Sequence, residues 1–291
     1  MANGIIIMDK PQDWTSQDVA AKLRGVFHEK RVGHGGTLDP MATGVLPVFI
    51  GRATRGVEFF ESAEKEYVAG LRLGEETNTQ DTTGEILERR PVSVTRQQLE
   101  AELKKFLGPQ QQLPPMYSAV KIGGKKLYEL ARQGKTVERK PRQIEILELE
   151  LLEGEGVDWL LRVRCSKGTY IRTLCHDIGK ALGCGGCMSS LRRTAAGCYG
   201  IDRAVTMEQL LQTEDPEALL LPADSLFAEL PVLTVEQDQL KPILNGGQLR
   251  ISSVKNGKYR VYGPDGAFLM VGTAENGILR TVKSFFEVTD R

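Results

Sequence analysis

The segment Gly33-His34-Gly35-Gly36-Thr37-Leu38-Asp39-Pro40-Met41-Ala42-Thr43-Gly44-Val45-Leu46-Pro47 constrains this chain more than any other stretch. Four glycines and two prolines in fifteen residues exclude an uninterrupted helix or strand. Gly35 and Gly36 let the backbone approach a neighbour closely, and Pro40 biases Asp39 towards an extended conformation. The expectation is a shaped loop that carries one carboxylate, Asp39, with His34 nearby. Asp followed by Pro also starts ordinary turns. The loop alone therefore leaves open whether Asp39 does chemistry.

The 291 residues suffice for a large core and predict two domains, one big and one small. Hydrophobic residues make up 41% and charged residues 26%, as in a water-soluble globular protein. The apolar run Ile5-Ile6-Ile7-Met8 is too short for a signal sequence or a membrane span, so a cytoplasmic location is expected. Five cysteines, an odd number, predict free thiols. Cys184-Gly-Gly-Cys187 has metal-ligand spacing, but it has no second pair and only His176 nearby, so no metal site is expected.

The formal net charge is zero but unevenly spread. Residues 121–142 hold eight basic and two acidic side chains, and residues 162–193 seven basic and one acidic. Residues 202–238 hold nine acidic and one basic. Two basic segments separated from an acidic one suggest a polyanion-binding face.

Residues 4–8 read as a buried strand. Thr15 and Asp18 have capping-box spacing ahead of the apolar stripe Val19, Leu23 and Val26. Strands are expected at 45–50, 67–73, 84–87, 144–152 and 159–165, the last two separated by the glycine turn at 154–156. Thr95 and Gln98 cap a second helix that stops at Gly108-Pro109, and 113–121 reads as extended. Gly123-Gly124-Lys125-Lys126 suggests a hairpin or mobile flap. Residues 170–182 read as a helix with Ile171, Leu174, Ile178 and Leu182 on one face. The acidic stretch up to Pro231 reads as a connection. From Val232 to Val288, closely spaced turn signals predict a small β-rich domain.

No phosphate-binding Gly-x4-Gly-Lys-Ser/Thr loop, Gly-x-Gly-x-x-Gly helix start, His-Glu-x-x-His or Gly-x-Ser-x-Gly occurs. What does occur is an ordered set of longer motifs. These are the segment 33–47, Lys65-Glu66-Tyr67, Thr79-Gln80-Asp81 with Gly84, and Pro114-Pro115-Met116-Tyr117-Ser118-Ala119-Val120-Lys121. Leu127-Tyr128-Glu129-Leu130-Ala131-Arg132, Cys165-Ser166-Lys167-Gly168-Thr169-Tyr170-Ile171-Arg172 and Leu191-Arg192-Arg193 follow. Together they resemble the TruB-type pseudouridine synthases, which modify uridine 55 in the T-loop of tRNA, over residues 4 to about 200. The tail resembles that family's PUA domain more weakly, through its glycine turns and strand spacing alone.

The resemblance implies an α/β (α+β) fold, with a central mixed, mostly antiparallel sheet in residues 1–229 and a PUA-like RNA-binding domain in 230–291. It implies an isomerase that needs no cofactor and whose partner is the T-arm of tRNA. Asp39 matches the nucleophile, and Arg172 the arginine that pairs with it. Tyr67 matches the tyrosine against the uracil ring that is implicated in proton removal. Tyr170 matches a hydrogen-bonding pocket tyrosine, and Leu191 an apolar wall. His34 matches the residue that helps hold the target nucleotide flipped out, and Asp81 an acidic cleft residue whose task the motif does not reveal. Residues 121–142, with Lys125, Lys126, Arg139 and Lys140, would form a flap closing on the RNA. The rival reading is a tRNA-binding or folding protein without turnover, which would share the basic patches. A hydrolase would need a second carboxylate to activate water, and Asp81 is the only candidate.

Overall fold

The computed structural model describes residues 1–251 and 254–286; residues 252–253 and 287–291 of the expected terminal domain lie outside that description. The strands, in chain order, begin with β1 (Gly4–Lys10), β2 (Val32–His34), β3 (Thr43–Ile50), β4 (Lys65–Leu73), β5 (Glu75–Thr77) and β6 (Ile86–Arg89). They continue with β7 (Gly108–Gln112), β8 (Lys121–Ile122), β9 (Lys125–Lys126), β10 (Arg142–Glu155), β11 (Asp158–Cys165), β12 (Gly186–Ala196) and β13 (Tyr199–Gly200). One sheet runs β1-β3-β12-β4-β11-β10-β7, with β2 paired to β3 and β13 to β12. Only β3 and β12 run parallel within it, so the sheet is mixed and mostly antiparallel as expected.

Period-two alternation explains how this sheet feeds two cores. In β1, Ile6 and Met8 join a cluster with Leu46, Val48, Tyr67, Ala69, Leu71, Leu161, Val163 and Leu191. The helices Ser16–Val26, Arg96–Leu103 and Ile171–Ala181 cover that face through Val19, Leu23, Leu99, Leu103, Ile171, Leu174 and Ile178. Ile5 and Ile7 point the other way, onto Val45, Phe49, Tyr199 and Phe227. Each aliphatic side chain buried this way stabilises the fold by about 1.5–3 kcal/mol. Both expected capping boxes form, Thr15 with Asp18 and Thr95 with Gln98.

Three segments differ from the sequence expectation. Gly108-Pro109 does end a helix, but it also opens the edge strand β7, where a missing N–H can face away from the ladder. The long strand β12 had no counterpart in the sequence reading. The acidic stretch is more than a connection: it forms the helix Met207–Gln212, and its Leu221 exchanges both backbone hydrogen bonds with Ile5, at 2.8 and 2.7 Å. This covers the free edge of β1, which would otherwise invite pairing with another chain.

Beyond it, β14 (Val232–Thr234), β15 (Leu249–Arg250), β16 (Gly257–Tyr262), β17 (Phe268–Glu275) and β18 (Ile278–Ser284) form a second sheet, ordered β14-β16-β17-β18-β15. Among the described residues no helix is long and apolar enough to cross a membrane.

Candidate active site

The Asp39 loop leaves β2 after His34 and enters β3 at Thr43. Its shape is held by bonds to its backbone. Asp13 donates its N–H to the Pro40 carbonyl at 2.8 Å. The Ser16 hydroxyl accepts from the Leu38 N–H at 2.8 Å and donates to the Leu38 carbonyl at 3.2 Å. Lys10, fully buried, donates from Nζ to the carbonyls of Pro11, Trp14 and Pro40 at 2.8, 2.6 and 3.1 Å. Burial pushes its ammonium down to about 8, with Asp13 and Asp39 opposing the shift. Gly44 sits at φ +99°, and a Cβ there would lie 2.2 Å from the Arg193 carbonyl oxygen, so no other residue fits this corner.

The Asp39 carboxylate stays 38% exposed while its cation is 6% exposed. Arg172 Nε lies 2.9 Å from Asp39 Oδ2, and Nη2 donates to Oδ1 at 3.3 Å, a two-point grip on one carboxylate. The same guanidinium donates to the Thr79 carbonyl at 3.1 Å and the Tyr117 carbonyl at 2.8 Å, and Nε lies 3.7 Å from Asp81 Oδ2. Asp81 is buried and accepts from the Thr79 hydroxyl and the Thr83 N–H at 2.8 and 3.0 Å. Arg172 can occupy this position because it is the second residue of the helix Ile171–Ala181. The start of that helix is clamped by the buried Gln112, whose amide accepts from the Tyr170 N–H at 2.8 Å and donates to the Tyr170 carbonyl at 3.0 Å.

Tyr67 on β4 pairs in register with Arg193 on β12, and Leu191 pairs with Ala69 beside it. Burial pushes the Tyr67 phenol up, and the charge of the Arg193 guanidinium opposes that shift. His34 is half-buried at the end of β2; burial depresses its imidazole and the Arg193 charge adds to this. Its Nδ1 is buried without a hydrogen-bond partner.

Arg172 thus contacts both Asp39 and Asp81, while Tyr67 lies on β4 at its own ladder position. The flap residues stand apart from them. The expected hairpin forms as β8 and β9, and Lys125 and Lys140 are exposed. Lys126 Nζ donates to the Tyr128 hydroxyl at 3.2 Å and lies over that ring, while Arg139 donates to the Pro114 carbonyl at 2.9 Å.

The second basic segment is largely consumed within the protein. Arg162 pairs with Glu150 at 3.1 Å, Arg164 with Glu148 at 2.9 Å, Arg192 with Asp9 at 2.7 Å, and Arg172 and Arg193 are buried. Lys167 and Lys180 are exposed there, as is Arg162 beside its Glu150 partner.

Lys10, Gln112, Tyr117 and Arg193 were assigned no task from the sequence, although Tyr117 and Arg193 lie inside quoted motifs. All five cysteines are free thiols, and among the described residues no group of three His, Cys, Asp or Glu side chains could hold a metal ion.

Known proteins resemble this chain over most of its length. The TruB family pseudouridylate synthase N-terminal domain matches residues 24–171, and the tRNA pseudouridylate synthase B C-terminal domain matches residues 172–228. The chain is 47% identical over 281 residues to tRNA pseudouridine synthase B of Syntrophomonas wolfei, covering 94% of each chain. It is 44% identical over 282 residues to that of Azoarcus sp., covering 96% of this chain and 94% of the other. A solved H/ACA RNP bound to a substrate RNA containing 2'-deoxyuridine superimposes with a TM-score of 0.75 at 26% identity, covering 99% of this chain and 86% of that one. A Cbf5-Nop10-Gar1 complex gives a TM-score of 0.74 at 28% identity, covering 98% and 85%. On these grounds the chain belongs to the TruB family of pseudouridylate synthases.

Proposed function

We propose that this chain converts uridine 55 in the T-loop of tRNA to pseudouridine. The observation that carries the reading is the half-exposed Asp39 carboxylate gripped at two points by buried Arg172. A carboxylate aimed by a guanidinium through two contacts is a competent nucleophile. Asp39 attacks the flipped-out uridine at C1′ or at the base. The N1–C1′ bond breaks, the uracil turns, a C5–C1′ bond forms, and the C5 proton is lost as N1 gains one. The atoms balance without a co-reactant, so the reaction needs no cofactor.

In this reading Tyr67 lies against the uracil and takes part in proton removal, Leu191 walls the pocket, and Tyr170 hydrogen-bonds within it. His34 holds the extruded nucleotide out of the T-loop, and Asp81 steadies Arg172. Lys125, Lys126, Arg139 and Lys140 on the flap contact T-arm phosphates. Residues 1–229 carry the chemistry, while residues 230–291 add a PUA-like RNA-binding surface, all in the cytoplasm. The names of the relatives, each a tRNA pseudouridine synthase B, support this assignment.

The test is to incubate the protein with unmodified tRNA and map pseudouridine; none at position 55 would overturn the reading. The rival, a tRNA-binding protein without turnover, predicts retained binding and no product.

A further inference from the structure

Arg193 is the largest side chain that the protein buries completely, with 1% of its surface exposed. Its position in the sheet is unusual. On one side of β12 it is in register with Gly44, where the nucleophile loop joins β3; on the other it is in register with Tyr67 on β4. Its hydrogen bonds go to neutral carbonyls: Nε to Val45 at 2.6 Å and Nη2 to Gly36 at 3.1 Å. These two carbonyls flank Asp39 on either side of the loop. The remaining nitrogen, Nη1, passes 3.4 Å from where a Gly36 Cβ would stand, and the guanidinium charge is felt by the phenol of Tyr67, its partner across the β4–β12 ladder. A buried cation is costly unless its donors are satisfied. Burial here is therefore tied to the arrangement of the loop and of Tyr67.

We propose that Arg193 is a positioning residue of the reaction, bonded to both ends of the Asp39 loop and paired across the sheet with Tyr67, so that tyrosine and nucleophile keep a fixed separation. The inference rests on the pseudouridine-forming reading above and adds to it. The ladder pairing keeps the guanidinium on the same face as the Tyr67 phenol oxygen. The guanidinium charge also favours negative character on that oxygen. Arg193 need not touch the RNA to do either.

The test is a double-mutant cycle with the full-length chain: wild type, Arg193→Lys, Tyr67→Phe and the pair. Single-turnover rates at saturating unmodified tRNA and tRNA Kd are measured for each. Arg193→Lys should slow the wild type by about tenfold or more, because lysine cannot bond the carbonyls of Val45 and Gly36 as the planar fork does, and leave Kd within about threefold. In the Tyr67→Phe background the same change should cost less than about threefold, because the hydroxyl on which Arg193 acts is gone. Equal costs in both backgrounds would overturn the proposal.

Thermal melting of Tyr67→Phe alone decides the matter if that variant is too slow to time or Arg193→Lys does not fold. Loss of the hydroxyl should remove the polar oxygen that shares its buried face with the Arg193 charge and lower Tm by about 2 °C or more. An unchanged or raised Tm would overturn the proposal. Absence of product from the wild type would instead sink the functional reading, on which the melting comparison does not depend.

Discussion

Arg172 and Asp39 lie 133 positions apart in sequence, yet meet through two nitrogens and two oxygens, at 2.9 and 3.3 Å. The same guanidinium spends its other donors on the carbonyls of Thr79 and Tyr117. Arg172→Lys keeps the charge but cannot serve these acceptors together. A hydrogen bond to a charged group is worth about 1.5–3 kcal/mol, so the single-turnover rate should fall by about tenfold to a hundredfold. Binding of tRNA should change by less than about threefold. Equal rates for variant and wild type would show that Arg172 does not act on the nucleophile.

Asp39→Asn keeps the shape of the side chain and removes the carboxylate proposed as nucleophile. Product formation should drop by at least about a thousandfold, with tRNA binding retained. A variant within about tenfold of wild type would return the choice to the non-catalytic reading.

Much of the fold could be read directly. The apolar run of β1, the two capping boxes and the strands flanking Gly154 are local signals, and local physics decides them. Strand β12 lacked such a signal. Its alternation breaks at Ser189-Ser190 and Arg192-Arg193, beside which its register against β4 shifts. Arg193 reads as a surface residue until its carbonyl partners, more than 140 positions away, are in place. The pairing of Asp39 with Arg172 was legible only through the resemblance, since no spacing rule joins residues so far apart. A tally of charge over residues 162–193 likewise cannot tell a paired arginine such as Arg192 from an exposed lysine such as Lys167.

His34 should mark the acid side of the stability profile. Burial holds its folded-state pKa below 6.5, so below 6.5 the unfolded chain binds a proton that the native state resists. Stability contributed by neutral His34 is present above pH 6.5 and is lost as pH falls below it. His34→Gln should flatten the fall of Tm between about pH 7 and pH 5. The chain has three histidines, so the difference is assignable; parallel Tm curves would place the effect elsewhere.

Salt dependence should separate the flap residues. Lys125 and Lys140 are exposed, whereas Lys126 and Arg139 already have partners. Neutralising the first two should reduce the slope of log affinity for a T-arm stem-loop against log salt by about 1.4–1.8. Neutralising all four should reduce it by at most about 3–4. An unchanged slope would make residues 121–142 a solvated face.

Removing residues after Leu230 should weaken tRNA binding while the single-turnover rate at saturating RNA survives, because Asp39, Tyr67 and Arg172 lie before it. It should also lower Tm, since Phe227 packs on Phe268 and Phe285 at ring-centroid distances of 6.2 and 5.7 Å. Burying one phenylalanine contributes about 1.5–3 kcal/mol. A folded truncation with no activity at any RNA concentration would mean that the site extends into the terminal sheet.

The reach of Arg172 has a consequence for synthesis on the ribosome. Its partners at positions 39, 79, 81 and 117 are all translated before it. Each contact closes a long loop of chain, which is slow and comes late in folding. A nascent polypeptide therefore displays its carboxylate for much of its synthesis without the cation that aims it. Catalytic competence arrives only once the helix Ile171–Ala181 has docked, so prematurely terminated chains are born inert.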